Sequence, residues 1–204
     1  MGISRLEQPK RALVLGYDEG RTSLISCLRD RGFEVSHSSE PVASLAEFEF
    51  VVSFGYKHLI NRKTLQSAIG PVINIHISYL PHNRGMHPIF WAFFDETPLG
   101  VTIHEIDEGL DSGRIWKRKE LHLPNNKMTF REAHGFMLRC AENLFIKSIE
   151  DIVTGAVTPF PQEFRTRPHK ASDLPADFRG WDEPIVNEII RLQRKNMKIH
   201  QSFT

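Results

Sequence analysis

The feature of this sequence that most restricts its fold is an alternation of short strand-like runs with helical stretches in the first half of the chain. The predicted strands are Arg11–Leu15, Phe33–Ser36, Phe50–Phe54 and Pro71–His76, and the predicted helices between them are Thr22–Arg31 and Arg62–Ile69. Strands that alternate with helices usually lie side by side in one direction, with the helices packed on the faces of the sheet. The pattern predicts an α/β fold, a Rossmann-like, mostly parallel twisted sheet with flanking helices and with ligands at the carboxyl ends of its strands.

The second half of the chain adds shorter elements and one long helix. We predict an apolar helix over His87–Phe94, a β-branched strand over Gly100–His104 and a half-exposed antiparallel strand over Ile115–Leu123. A capping box over Thr129–Glu132 predicts the start of the longest helix, which ends near Gly155. The residues predicted to form its buried stripe are Phe136, Leu138, Leu144, Phe145, Ile149, Ile152 and Val153.

The C-terminal quarter has a less regular pattern. Residues 159–175 are rich in Pro, Arg, His and Lys, which is typical of either a solvated crossing loop or a lid over a substrate. Trp181–Lys195 has the apolar spacing of a terminal amphipathic helix. The predicted division is therefore a domain over residues 1–155 and a short C-terminal extension over residues 156–204 that packs on it.

Charge and cysteine content argue against several functional classes. The 204 residues carry a formal net charge of only +1, so no electrostatic case exists for binding to nucleic acid or to a membrane surface. Cys27 and Cys140 are far apart and lack the spacing of metal ligands, which favours two reduced thiols. No apolar run approaches the ~18 residues of a membrane span, and no secretory leader is recognisable. We expect a cytoplasmic protein, with a homodimer left open.

The predicted strand ending at His76 carries polar groups on one face. Because alternate residues of a strand share a face, Asn74, His76 and Ser78 point one way while Ile73 and Ile75 point the other. A core strand with polar groups confined to one side is typical of a site. Taken alone, His76 would more often be a hydrogen-bonded core histidine.

An acidic, glycine-containing loop over Glu105–Gly113 follows the next strand and carries Asp111, which could also be a turn-forming residue. His104, just before this loop, could pair with Asp111 or fill the sheet. The nearest cluster of histidines comprises His76, His82, His87 and His104, but no HExxH or CxxC accompanies it, so we predict no metal site. The Gly16–Gly20 loop lacks GxGxxG, which makes a dinucleotide site a weak interpretation.

Together these pieces carry a family resemblance. The ordered set is Asn74-x-His76-x-Ser78-x-Leu80-Pro81, Arg84-Gly85, Gly100–His104 and Asp111-x-Gly113. It resembles the signature of the folate-dependent formyltransferases, which include glycinamide ribonucleotide, methionyl-tRNA and nucleotide-sugar N-formyltransferases. The resemblance covers about residues 10 to 165 and fades after that.

The resemblance implies roles for individual residues. Asn74, His76 and Asp111 fall on the catalytic trio of the family, and the formyl donor would be 10-formyltetrahydrofolate, with no metal. The residues implied to hold this cosubstrate are Tyr56, Lys57, His58, Ile60, His104, Glu105, Ile106, Asp107 and Leu110. The residues implied on the acceptor side are Tyr79, His82, Asn83 and Arg84; the first three depart from the common family pattern, and Arg84 is either an acceptor-phosphate contact or a loop anchor.

The chemistry of these residue types agrees with that assignment. Attack of an amine on a formyl carbon passes through a tetrahedral intermediate with a developing oxyanion, which side-chain N–H donors such as those of Asn74 and His76 can stabilise. A carboxylate near an imidazole orients the ring and raises its pKa, and Asp111 is the predicted partner.

The acceptor predicted from the resemblance is the primary amine of a UDP- or dTDP-linked 4-amino-4-deoxy sugar used in cell-surface glycans. Only about fifty residues follow Gly155, too few for the extra C-terminal domain of methionyl-tRNA formyltransferases. The alternatives are a glycinamide ribonucleotide-type enzyme, a formyltransferase for carrier-bound aminoacyl groups, and a non-catalytic folate- or nucleotide-binding protein.

Overall fold

The computed structural model describes residues 9–125, 127–164 and 166–201. Within these ranges, six strands form one sheet in the order β2-β1-β3-β4-β5-β6. The strands are β1 (Arg11–Gly16), β2 (Glu34–Ser38), β3 (Phe50–Phe54), β4 (Val72–His76), β5 (Gly100–Glu105) and β6 (Ile115–Glu120). Strands β1 to β4 pair in parallel, whereas β5 is antiparallel to both β4 and β6. The predicted mostly parallel α/β sheet is confirmed.

Helices cover this sheet and continue into the C-terminal region. They are α1 (Leu24–Arg29), α2 (Arg62–Gln66), α3 (Pro88–Phe94), α4 (Phe130–Val153) and α5 (Ile185–Gln201), with a 3₁₀ turn at Ala171–Asp173. The prediction that the last helix begins at Trp181 is wrong. Pro184 disfavours helical geometry in the residue before it. The carbonyl groups of Trp181 and Glu183 accept hydrogen bonds from the start of α4 instead.

The long helix α4 begins with the predicted capping box. The Thr129 hydroxyl accepts the Glu132 amide at 3.2 Å, and the Glu132 carboxylate accepts the Thr129 amide at 2.8 Å. The predicted buried stripe was only partly right, because Phe136, Leu138, Leu144 and Val153 are half-buried. Its buried residues are Phe130, Ala133, Met137, Ala141, Phe145, Ser148, Ile149 and Ile152. Ala133 and Ala141 on this face let the helix approach the sheet closely. A prediction based on large apolar side chains misses such small buried residues.

Apolar cores lie on both faces of the sheet. Alternation along β1 sends Ala12 and Val14 to the face covered by α1, α3, α4 and α5, and sends Leu13 and Leu15 to the smaller cluster on the other face. Ile185, Ile189 and Leu192 of α5 belong to the larger cluster, so the C-terminal helix shares a core with the sheet. In the part of the chain that the structure describes, no helix combines the length and apolarity needed to cross a membrane.

Candidate active site

Strand β4 presents two polar side chains at its carboxyl end. Ile73 and Ile75 are buried in the core, while Asn74 and His76 are half-buried on the opposite side. The strand lies between β3 and β5, and His76 is its last residue, at the edge of the sheet where the parallel strands end. Ligands of open α/β sheets bind at this edge.

The loop after β5 brings Asp111 to the two polar side chains of β4. The distance from Asn74 Nδ2 to Asp111 Oδ1 is 3.5 Å, and that from His76 Nε2 to Asp111 Oδ2 is also 3.5 Å. The three predicted catalytic side chains therefore converge on one point, although Asp111 lies 37 positions beyond Asn74 in the chain.

His104 contacts this cluster from the neighbouring strand β5. It faces Asn74 across the antiparallel β4–β5 pair, and its Nε2 lies 3.1 Å from Asn74 Nδ2 and 3.5 Å from Asp111 Oδ1. Its Nδ1 lies 2.7 Å from the carbonyl oxygen of Glu105, so Nδ1 donates and Nε2 is free to accept from Asn74 in the neutral ring. The sequence left open whether His104 pairs with Asp111 or fills the sheet. Its ring is buried in the sheet, and its Nε2 also contacts Asn74 and Asp111.

Asp111 is held in an unusual backbone conformation. Its φ of 48° lies in the left-handed region, which side chains other than glycine rarely adopt. The Gly85 amide donates to Oδ2 at 2.8 Å, and Gln162 Nε2 donates to the Asp111 and Gly113 carbonyl oxygens at 2.9 Å each. No local sequence pattern predicts these contacts, because Gln162 lies 51 positions after Asp111 in the chain.

Burial and charge set the ionisation of the trio. Burial is the largest influence on Asp111 and would raise its pKa, but His76, His104 and the Gly85 amide together hold that pKa well below its ordinary value. Burial lowers the pKa of His76 more than the neighbouring Asp111 raises it. The site therefore contains an ionised carboxylate beside a neutral imidazole near pH 7.

A cavity of about 420 Å³ opens beside His76, and we call it the His76 cavity. Its wall is formed by residues 76–77, 85–90, 130–131, 134 and 181. Several of these residues escaped the sequence analysis as site residues, including His87, His134 and Trp181. In the sequence, Pro88 marks the start of α3 and the capping box marks the start of α4. Neither pattern shows that the starts of these two helices meet in the fold.

The side chains of the four predicted acceptor residues make contacts outside the His76 cavity. Asn83 Nδ2 donates to Thr97 Oγ1 at 2.7 Å, and the buried Arg84 guanidinium donates to the carbonyl oxygens of Leu110 and Thr166. The other two residues pack in pairs, Tyr79 with Arg118 and His82 with Phe164. Among the described residues that line the His76 cavity, none is one of these four. Acceptor binding by them stays a prediction, and loop anchoring accounts for the contacts of Arg84.

The segments predicted to hold the folate flank the carboxyl ends of β3 and β5. Tyr56 donates from its hydroxyl to the Glu40 carbonyl at 3.0 Å, and its ring lies 5.3 Å from that of His58. Just after the first segment, Arg62 at the start of α2 pairs with Glu108 of the second segment at 3.0 Å. Lys57, His58, Asp107 and Leu110 are exposed, whereas Tyr56, Ile60, Glu105 and Ile106 are half-buried and His104 is buried. Their contact with a folate stays a prediction.

Across residues 9–125, 127–164 and 166–201, no group of three or more His, Cys, Asp or Glu side chains is placed to hold a metal ion.

Comparison with known proteins agrees with this geometry. The family model described as formyl transferase matches residues 9–134, which is more than half of the chain. The chain belongs to the formyl transferase family. A methionyl-tRNA formyltransferase from Clostridium beijerinckii is 35% identical over 149 residues, covering 72% of this chain and 47% of that protein. This family member thus spans about half the length of the curated relatives it matches.

Solved structures of the same fold include enzymes acting on sugars. The formyltransferase PseJ from Anoxybacillus kamchatkensis, in complex with UDP-4,6-dideoxy-4-formamido-L-AltNAc and tetrahydrofolate, has a TM-score of 0.77 and 31% identity, covering 86% of this chain and 96% of its own. A 4-N formyltransferase from Francisella tularensis has a TM-score of 0.69 and 20% identity, covering 86% of this chain and 85% of its own. The second likeness is one of fold.

Proposed function

We propose that this protein transfers the formyl group of 10-formyltetrahydrofolate to a primary amine. The observation that carries the proposal is the convergence of Asn74, His76 and Asp111 within 3.5 Å beside a cavity large enough for a small-molecule acceptor. An ionised carboxylate, a neutral imidazole and an amide N–H are the groups that acyl transfer to an amine requires.

The chemistry can be assigned to atoms. The amine nitrogen attacks the formyl carbon, a C–N bond forms, and the carbonyl π electrons move to oxygen. Asn74 Nδ2 donates one N–H to His104 at 3.1 Å, while its contact with Asp111 is a long 3.5 Å, so the second N–H is available for the oxyanion.

The protons of the amine need an acceptor. His76 Nε2 lies 3.5 Å from both Asp111 Oδ2 and the Asn83 carbonyl oxygen, two acceptors, which places the ring proton on Nε2 and leaves Nδ1 basic. His76 takes a proton from the attacking amine, and Asp111 stabilises the imidazolium. Collapse of the intermediate breaks the bond between the formyl carbon and N10 of the folate. The His76 imidazolium returns its proton to N10, and tetrahydrofolate leaves.

The two segments proposed to hold the folate are Tyr56–Ile60 and Glu105–Leu110. They follow β3 and β5, the two strands that pair with the strand of Asn74. The exposed side chains of Leu59 and Leu110, 84% and 40% exposed, offer apolar surface for a flat ring system. The bound folate would supply the formyl carbon, and the protein's own groups would orient it.

For the acceptor we propose the amine of a nucleotide-linked 4-amino-4-deoxy sugar. The support is PseJ, which is 31% identical over nearly its whole length and whose structure contains a UDP-linked 4-formamido sugar. Methionyl-tRNA is the second candidate, because the curated relatives that carry that name reach 35% identity. We propose a cytoplasmic enzyme that, with a nucleotide-sugar acceptor, binds neither nucleic acid nor membrane.

The test is an acceptor screen with 10-formyltetrahydrofolate. The acceptors are UDP- and dTDP-4-amino-4-deoxy sugars, glycinamide ribonucleotide, methionyl-tRNA and a carrier-bound aminoacyl group. We expect tetrahydrofolate release and a formamide product by mass spectrometry with a nucleotide sugar, and neither with the Asp111→Asn variant. Turnover of another acceptor and of no sugar nucleotide would replace the proposed acceptor. Tight folate binding without turnover of any amine would make the protein a binding protein.

A further inference from the structure

At its mouth, the His76 cavity is lined by aromatic and basic side chains and not by the residues proposed to be catalytic. The mouth consists of His87, Arg131, His134 and Trp181, and none of these residues belongs to the catalytic trio or to the predicted acceptor residues. It is built by three distant segments: the start of α3, the first turns of α4 and the residue four positions before α5.

An aromatic wall forms one side of the mouth. The ring of Trp181 lies 4.9 Å from that of His87 at an interplanar angle of 36°, and its other neighbours, Phe130 and Phe178, hold it edge-on. His87 has a φ of 59°, a left-handed conformation that costs about 1 kcal/mol or more outside glycine. A half-exposed indole fixed by three rings is suited to pack against a planar heterocycle.

Basic groups form the other side. The Arg131 amide donates to the Trp181 carbonyl oxygen at 2.9 Å, which holds the first turn of α4 beside the aromatic wall. Asp182 accepts from Arg131 Nε and Nη2 at 2.6 and 3.0 Å, so the guanidinium is oriented. Within the described residues, Nη1 makes no hydrogen bond and remains available to a ligand.

His134 lies one turn further along α4, between two cations. Burial is the main cause of its lowered pKa, and the charges of Arg21 and Arg131 lower it further. Arg21 stacks on Tyr17 at 4.8 Å, and no carboxylate of the described residues pairs with its guanidinium. Asp182 offsets the charge of Arg131, so the net positive charge near His134 comes from Arg21, and N–H groups of Arg131 and His134 lie on the cavity wall beside it. This arrangement favours a ligand with negative charge.

We propose that the mouth of the His76 cavity binds the nucleoside diphosphate of the acceptor, with Arg131 and His134 at the diphosphate and Trp181 against the base. This inference rests on the proposed function, because it takes the acceptor amine to lie at His76. The cavity volume of about 420 Å³ is within the range of small-molecule sites, and His76 and the mouth residues line the same cavity, so one ligand can contact both.

The experiment measures binding without catalysis. Isothermal titration of the full chain with UDP and with uridine is compared for the wild type and for Arg131→Gln, His134→Gln and Trp181→Leu. Arg194→Gln is the matched control, because this exposed arginine lies on α5 outside the cavity. We expect Arg131→Gln and His134→Gln to weaken UDP binding about tenfold and uridine binding little, since a charge-assisted hydrogen bond is lost. We expect Trp181→Leu to weaken the binding of both UDP and uridine.

Several outcomes would overturn the inference. One is a wild type that binds no UDP, and another is an Arg131→Gln variant that binds UDP as tightly as the wild type does. A third is an Arg194→Gln variant whose affinity for UDP falls as much as that of Arg131→Gln. Thermal denaturation of each variant separates misfolding from lost contacts. If the wild type binds UDP with the expected variant pattern but forms no formamide, the site assignment stands and the proposed reaction falls. If it formylates a free amino sugar as efficiently as its nucleotide form, the reaction stands and this inference falls.

Discussion

Gln162 donates from Nε2 to the backbone carbonyl oxygen of Asp111 at 2.9 Å, across 51 positions of sequence. The same nitrogen donates to the Gly113 carbonyl at 2.9 Å, so one side chain spans the turn that carries the carboxylate. Because Asp111 has a φ of 48°, its conformation depends on such support from outside the turn. The segment that carries Gln162, residues 159–164 and 166–169, also forms a backbone bridge to Gly85 through His169.

Replacing Gln162 by leucine should disturb Asp111 without unfolding the protein. We expect kcat to fall on the order of tenfold while KM for the acceptor changes little, because a small displacement of a catalytic group is costly. The control is Thr166→Val, which removes a 2.9 Å hydrogen bond from the same segment to the Pro81 carbonyl but no contact with Asp111. Steady-state kinetics check both variants. Equal losses in the two would mean that the segment contributes only stability.

Asp111→Asn should abolish most turnover. The asparagine oxygen can still accept from the Gly85 amide, but a neutral amide cannot stabilise the His76 imidazolium, so we expect at least about a hundredfold loss in kcat. Asp151→Asn, at an exposed pair with Lys117, should leave the rate unchanged. A near-wild-type rate in Asp111→Asn, measured by tetrahydrofolate release, would contradict the assigned mechanism.

Stability should depend on pH through buried histidines. The pKa of His76 is lowered from 6.5 in the folded protein, chiefly by burial, so its neutral form is favoured and its contribution to folding is present above pH 6.5 and lost as pH falls. Burial lowers the pKa of other histidines in the same direction, namely His82, His87, His134 and His169. The pKa of Asp111 is also lowered, so its contribution is lost only at pH values below its ordinary 3.8.

Urea denaturation between pH 7 and pH 5 measures this dependence. We expect the free energy of unfolding to fall as pH drops through this window, and to fall less steeply in His76→Gln than in the wild type. His122→Gln, at an exposed position on the chain, is the matched control and should retain the wild-type slope. An unchanged slope in His76→Gln would show that this imidazole is not held neutral by the fold.

The packing of α4 on the sheet should carry much of the stability. Phe145 is fully buried and its ring lies 6.4 Å from that of Phe50 on β3, so Phe145→Ala should cost about 3–5 kcal/mol in the free energy of unfolding. Phe164→Ala, at a side chain that is 43% exposed, should cost less than about 1 kcal/mol. Denaturation midpoints compare the two, and a similar loss in both would refute the role assigned to the α4 face.

The sequence by itself determined the sheet and the position of the polar pair. Alternation of β-branched strands with helices predicted the α/β class, and the period of two along β4 put Asn74 and His76 on one side. The capping box gave the start of α4 correctly, because its hydrogen bonds are local. Local patterns are sufficient wherever the interacting groups are neighbours in the chain.

Only the tertiary structure decided what surrounds that pair. Gln162 reaches Asp111 from a segment without regular structure, and Trp181 meets His87 although 94 positions, counted as 181 − 87, separate them in the sequence. No periodicity or spacing encodes such contacts, since they depend on how α4 and α5 pack on the sheet. The contacts of Asn83 with Thr97 and of Arg84 with Thr166 likewise follow from the packing of distant loops, and acceptor binding by these two residues stays a prediction.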